Sequence, residues 1–247
     1  MNKSLDFSPL PRKPLKEEIF EVLHKQIIAG HYPPGSWLRQ EEIAAQLGVS
    51  MTPVREALDL LTSAGLAERV PYRGVRVPVL SPQEIAEAYG MRLLLETVAA
   101  RAAATRIKRD QVEGLKRTLE EMKGQVTLND MSLARQLSRE FHQAIVEASG
   151  NTLLIRLYRL AANSFPDWML YEAMFRHPEL LEESLAQEHA EHVAIVAALE
   201  QGDAKQAMER VVQHILHLGQ EMETLLGIPA ALLRESEQLI FTSLRDT

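Results

Sequence analysis

Three histidines are the residues of this 247-residue chain best suited to chemistry. His142, His192 and His214 fall on three separate helical segments, each on or beside an apolar face. Leu137, Ile145 and Val146 flank the first, Val193 to Val196 the second, and Val211, Ile215 and Leu218 the third. A lone histidine in such a place is ordinarily a buried side chain with one hydrogen-bond partner. Three converging in one core are harder to satisfy, because an unpaired buried polar group costs free energy. A divalent cation satisfies all three at once, and neutral imidazoles suit zinc, nickel and similar ions. The alternative is a metal-free pocket in which the same imidazoles hydrogen-bond an effector carboxylate directly. His189 and His217 are set aside as lying off the shared face. Ser138 stands one turn before His142, on its side of the helix. Arg92 and Glu96, at i and i+4 on an earlier helix, can form an ion pair. Tyr158, Trp168 and Tyr171 either line a pocket or fill core.

A three-histidine metal could activate water, so a metal-dependent enzyme is the competing class. The sequence lacks the rest of such an apparatus. It shows no general base in a motif beside the histidines, no glycine-rich phosphate loop, no Ser-His-Asp order and no cysteine.

A second chemistry lies nearer the start of the chain. Arg39 to Leu66 reads as two short helices joined by a tight turn. Ile43, Ala44 and Leu47 give the first an apolar face, and Gly48 supplies a left-handed stop. Ser50 or Thr52 can cap the second, Pro53 suits its first turn, and Val54, Leu58 and Leu61 point inward. Its outer face begins with Ser50, Met51, Thr52 and Arg55, where a helix-turn-helix reads the major groove. Two β-prone runs, Ala67 to Val70 and Val75 to Val79, flank Pro71-Tyr72-Arg73-Gly74. They predict a hairpin with Arg73 at its tip and Arg69 and Arg76 on its arms. The combination predicts a winged helix that binds duplex DNA through Arg39, Ser50, Met51, Thr52, Arg55, Arg73 and Gly74. Trp37 is expected to pack under the wing.

The net charge of −7 at first argues against nucleic acid. Its distribution answers this: ten Lys/Arg face nine Asp/Glu up to Leu80, and 17 face 25 beyond it. Local clustering of arginines sets phosphate affinity, not the total. The weak excess predicts modest affinity per monomer and a need for dimerisation. With no cysteine, disulfides and iron–sulfur clusters are excluded, which fits a reducing cytoplasm. No apolar leader follows Met1, and no segment approaches the ~20 apolar residues that span a bilayer.

The expected architecture is mainly α. Residues 1–14 form a polar tail, in which Lys13 is solvated rather than bound to phosphate. Residues 15–80 form the winged helix-turn-helix domain. Residues 81–247 form an all-helical antiparallel bundle for effector binding and dimerisation. Ser81-Pro82-Gln83-Glu84 marks the boundary as a capping box. Helices are predicted at about Pro82–Thr105, Arg109–Gly124, Asn129–Ser149, Asn151–Phe175, Pro178–Gln201, Asp203–Leu226 and Ala230–Leu244. Pro166 should kink the fourth of these, and Asn151 should cap it.

The front half resembles the GntR family of bacterial transcription regulators. The likeness rests on Leu38-Arg39, Glu42-Ile43-Ala44, Leu47-Gly48-Val49-Ser50, Thr52-Pro53-Val54-Arg55-Glu56-Ala57-Leu58 and Gly65-Leu66. The rear half is similar to the FCD effector domain of the FadR-like branch. The residues concerned are Arg92, Leu95-Glu96, Ala99-Ala100, Phe141-His142, Gly150-Asn151, His192, Ile195, Gly202-Asp203 and His214. The resemblance implies a homodimer on a palindromic operator, acting as a repressor controlled by a small carboxylate effector. It implies a metal held by His142, His192 and His214, with Arg92, Ser138 and Glu96 at the effector. Two departures stand out. The family's usual arginine between the serine and threonine of the reading helix is Met51, which can offer only apolar contact, for instance to a thymine methyl. The family's aspartate ligand four residues before the first histidine is Ser138, whose hydroxyl is a weak ligand.

Overall fold

The computed structural model describes residues 13–123, 128–165 and 167–245. The first helices are α1 (Leu15–Ile28), α2 (Gln40–Leu47) and α3 (Met51–Ser63), followed by strands β1 (Glu68–Val70) and β2 (Gly74–Arg76). Then come α4 (Pro82–Ala104), α5 (Arg109–Met122), α6 (Leu128–Ala148) and α7 (Thr152–Ser164). The chain closes with α8 (Asp167–Arg176), α9 (Pro178–Glu200), α10 (Ala204–Leu226) and α11 (Ala230–Arg245).

Local chemistry sets these elements. Gly48 ends α2 at φ 65°, ψ 33°, left-handed geometry that costs glycine nothing. Ser50 occupies the N-cap position of α3 with extended backbone, but its side chain makes no capping bond. The antiparallel pair β1–β2 sets Glu68 opposite Arg76 and Val70 opposite Gly74. The 35–38 segment runs along its edge, with Leu38 N–H donating to Val75 O at 2.9 Å and Trp37 bridged to Arg76. That is the wing, and Trp37 lies against it as expected.

Ser81 and Glu84 close a reciprocal capping box at the start of α4, with Pro82 in the first turn. α4 then runs through the bundle against α6, α7, α9, α10 and α11. Asn151 caps α7 by accepting from the Leu153 and Leu154 amides. The segment expected to be one kinked helix from 151 to 175 is two. α7 stops at Ser164, Phe165 turns extended (φ −81°, ψ 125°), and α8 starts at Asp167. A residue before proline is pushed out of the helical region, so the break falls where Phe165 precedes Pro166. Pro166 itself, the predicted tail through residue 12 and the helix end at Gly124 fall outside the described residues. Lys13 pairs with Glu21.

The apolar core of the front half does not stop at residue 80. Ile19, Leu23, Val54 and Leu61 share one buried cluster with Ala134, Trp168, Tyr171 and Met174 of the bundle. Trp168 is fully buried there, as core rather than pocket wall. Among the described residues, no helix is long and apolar enough to cross a membrane.

Candidate functional site

The wing and the reading helix bring the predicted basic residues to one face. Arg39, Arg55, Arg69, Arg73 and Gly74 line a shallow depression between α2, α3 and the hairpin. Ser50, Met51 and Thr52 are exposed at the start of α3. Gln40 ties the two helices by donating to Met51 O at 2.8 Å. The arginines are not equivalent. Arg69 pairs with Asp59 and Arg76 with Glu68. Arg73 lies 5.5 Å from the Trp37 ring centroid, a cation–π contact. Arg55 has no ion-pair partner among the described residues and is exposed. The outermost point of the wing is Tyr72, not Arg73. It is fully exposed at φ 61°, a conformation rare for a bulky residue and invisible in the sequence pattern.

The three histidines converge. His142, on α6, sits 3.2 Å Nε2 to Nε2 from His192 of α9 and 3.2 Å from His214 of α10. All three are buried, and their donor nitrogens lie within 4.8 Å of one another. Two of the three outer nitrogens are held by carboxylates. His142 Nδ1 donates to Glu96 Oε2 at 2.7 Å, and His214 Nδ1 donates to Glu191 Oε2 at 2.8 Å. Those bonds fix the Nδ1–H tautomers and leave the Nε2 lone pairs of His142 and His214 facing each other. A proton on His192 Nε2 can bridge its contact with His142 but not the one between His142 and His214. Burial also works against an extra proton on two of the rings. Burial pushes His142 down to about 4, against the pull of Glu96, and holds His192 well below its ordinary value. Inward-facing imidazole nitrogens, two of them with carboxylates behind the ring, are a donor set a divalent cation takes. Donors sharing an ion at ~2.1 Å are separated by roughly 3.0–3.4 Å, which the 3.2 Å contacts match. The residues present therefore fit a metal.

Glu96 is not beside a ligand space. It is buried behind His142 and also takes Arg92. Burial would raise its carboxyl, but Arg92 and His142 outweigh this and hold it down at about 2. Arg92 and Ser138 do line a small cavity of about 50 Å³ next to the histidines. With them are Arg139, Tyr158, Asp167, Tyr171, Glu188, Glu191, His214, His217 and Glu221. Its charged lining is thus two arginines against four carboxylates. Sequence reasoning missed Glu188 and Glu191, although both stand within one turn of His192. It also set aside His217, which meets Glu191 at 3.2 Å. Asp167 and Arg139 carried no local signal.

The cavity shares residues with the seam beneath the reading helix. Arg139 Nη1 donates to Ala64 O, just past the end of α3, at 3.0 Å, and Arg139 Nη2 to Asn163 Oδ1 at 2.8 Å. Arg135, nearly fully buried, donates to Asp167 Oδ1 through Nε and Nη2 and to Ala64 O at 3.2 Å. Gly65 closes the approach at φ 73°. A Cβ there would stand 2.4 Å from Asn163 O.

A winged helix-turn-helix joined to a helical bundle with a cavity at its histidines is the build of a DNA-binding transcriptional regulator. Residues 15–77 match the signature of the bacterial regulatory proteins of the gntR family, and residues 87–217 match the FCD domain. The chain belongs to the GntR family, in its FCD-bearing branch. It is 32% identical over 206 residues to a probable D-xylose utilization operon transcriptional repressor of Paenarthrobacter nicotinovorans, covering 83% of this chain and 88% of that one. It is 28% identical to the Nta operon transcriptional regulator of Aminobacter aminovorans, over 81% and 91%. Escherichia coli McbR/YncC shares the fold at a TM-score of 0.61 and 21% identity, covering 86% of this chain and 99% of that one. The relatives are transcriptional regulators, and so is this chain; it is not an enzyme.

Proposed function

We propose that this protein is a ligand-responsive repressor, working as a homodimer on a palindromic operator. Arg55 and the start of α3 read the major groove, and Arg39, Arg73 and Gly74 hold the flanking backbone. His142, His192 and His214 would hold a zinc or nickel ion, which would supply positive charge toward the effector. Arg92 and Ser138 border the effector, a small carboxylate. Glu96 orients His142 and Arg92 from behind.

The metal-bridged arrangement is favoured over direct binding by the histidines because the cavity is acidic. Four carboxylates against two arginines repel a bare anion, and a divalent cation reverses that sign at the point where the acid binds. The observation that carries the regulatory reading is that Arg139 and Asp167 belong to the cavity wall and to the seam under α3 at once. An acid that moves either residue favours one placement of the DNA-reading half over another. Only that difference in affinity between placements can regulate.

Fluorescence anisotropy on the promoter fragment upstream of its own gene tests this. The titration covers the zinc-loaded protein, with a panel of two- to six-carbon carboxylic acids. We expect salt-sensitive binding, and at least one acid changing affinity by about 5- to 150-fold. The same acid should leave His192→Ala unchanged while its acid-free DNA binding persists. No salt-sensitive affinity, or an identical response from His192→Ala, would refute the reading.

A further inference from the structure

We propose that Glu188 is the fourth protein ligand of the metal, and that Ser138 has become the residue that orients it. This rests on the metal reading above. Glu188 lies one turn before His192 on α9, so both side chains leave the same face. Its Oε1 is 3.9 Å from His192 Nε2. It stands just outside the closest histidine cluster because it accepts a hydrogen bond from Ser138 Oγ at 3.0 Å. On the His192 side the gap to a shared-ion separation of roughly 3.0–3.4 Å is about 0.5–0.9 Å, and it is wider toward at least one of the other two histidines, since Glu188 lies outside the cluster whose donor atoms fall within 4.8 Å of one another. A side chain that borders the cavity and is only partly buried closes it by a change of rotamer.

The other carboxylates nearby are engaged. Glu96 holds His142 and Arg92, and Glu191 holds His214 and His217. Asp167 takes Arg135, and Glu221 takes Ser184. Glu221 shares with Glu188 a neutral hydroxyl partner, but Glu188 is the one of these carboxylates with an oxygen within 4 Å of a triad Nε2, the nitrogen that faces the other two histidines. Three neutral imidazoles leave the full charge of a divalent ion uncompensated in a buried site. One carboxylate halves it. A serine on α6 cannot supply that anion, but its hydroxyl can donate to a carboxylate that does, as ligating carboxylates are commonly held from the outer shell. The carboxylate contribution thus moves from α6 to α9 with the cavity kept between them.

The full-length protein is titrated with cobalt(II), and with zinc in competition against a chromophoric chelator. Glu188→Gln should bind at least tenfold more weakly than wild type, with an altered cobalt visible spectrum. Adding Ser138→Asp to Glu188→Gln should recover most of the loss. Glu188→Cys gives a gain of signal: because the natural chain has no cysteine, a thiolate-to-cobalt charge-transfer band can arise only from the new side chain. Gln187→Cys, exposed on the next position, should give none. If wild type binds no metal, the metal reading itself fails. If wild type binds but Glu188→Gln matches it in affinity and spectrum, this inference is overturned while the metal reading stands. An affinity loss with an unaltered spectrum also overturns it.

Discussion

Replacing Arg135 with methionine should cost about 3 kcal/mol of stability, because it breaks a buried ion pair from one side only. The Arg135 side chain is 3% exposed and that of Asp167 13%. Their two hydrogen bonds, at 3.0 and 2.7 Å, both end on Asp167 Oδ1. Breaking a buried pair this way typically costs about 3–5 kcal/mol, since the partner's charge is left uncompensated. The low end applies here for two reasons. Arg139 remains 3.8 Å from Asp167 Oδ2, and it still donates to Ala64 O, so the carbonyl is not orphaned. Burial and the neighbouring Arg135 both weigh on the Arg139 guanidinium, whatever relief Asp167 brings, so removing Arg135 eases Arg139. Asp167→Asn should cost as much or more, leaving two guanidinium groups beside buried His24. The double variant should cost clearly less than the sum, with a coupling of about 2–3 kcal/mol. Urea unfolding followed by circular dichroism measures all four corners. For a chain of this size each single change should lower Tm by about 10 °C. The coupling should survive 0.5 M salt, because a pair this buried is poorly screened. Single effects under about 1 kcal/mol, or an additive cycle, would show that Arg135–Asp167 does not hold the seam.

Arg55→Ala should weaken operator binding by about 5- to 150-fold and flatten its salt dependence, read by anisotropy; an unchanged affinity and slope would remove Arg55 from the interface. Gly65→Ala should destabilise more than Gly48→Ala. Both have positive φ, but a Cβ on Gly65 meets Asn163 O whereas one on Gly48 meets nothing within 4 Å, so equal thermal melts would contradict the close approach. His24 should make the fold acid-sensitive. Burial, with Arg135 and Arg139 nearby, brings its folded value from 6.5 down to about 3. Its contribution is therefore complete above pH 6.5 and is lost as pH falls from there toward 3, about 2 kcal/mol of it between pH 7 and 5. His24→Gln should show that much less loss over the same interval in urea unfolding, and an identical pH profile would dismiss the effect.

Much of this protein is written locally. Gly48, the Ser81–Glu84 box and the Asn151 cap act on backbone groups within a turn of themselves, so neighbours in sequence suffice to read them. The spacing of Val54, Leu58 and Leu61 announces the buried face of the reading helix. The three histidines could be nominated because each lies beside apolar residues at helical period. What they face could not. His142 and His192 are 50 residues apart, and their contact depends on how α6 and α9 pack against α4. Glu188 and Glu191 look like ordinary surface charge in a helical sequence until that packing turns them inward, and Glu96, nominated beside Arg92, shows its hold on His142 only there. The split of the 151–175 helix was half legible, since Pro166 marks a break but not whether the chain bends or starts again.

The sequence by itself determined the class and the helix-turn-helix and nominated the three histidines, because periodicity, caps and motif order are short-range properties. Only tertiary structure decided which arginines are spent on internal partners, which carboxylates stand behind the histidines, and that the cavity wall reaches Ala64. Those facts come from side chains meeting across helices far apart in the chain, where Coulomb attraction and desolvation act over a few ångströms of space and take no account of sequence distance.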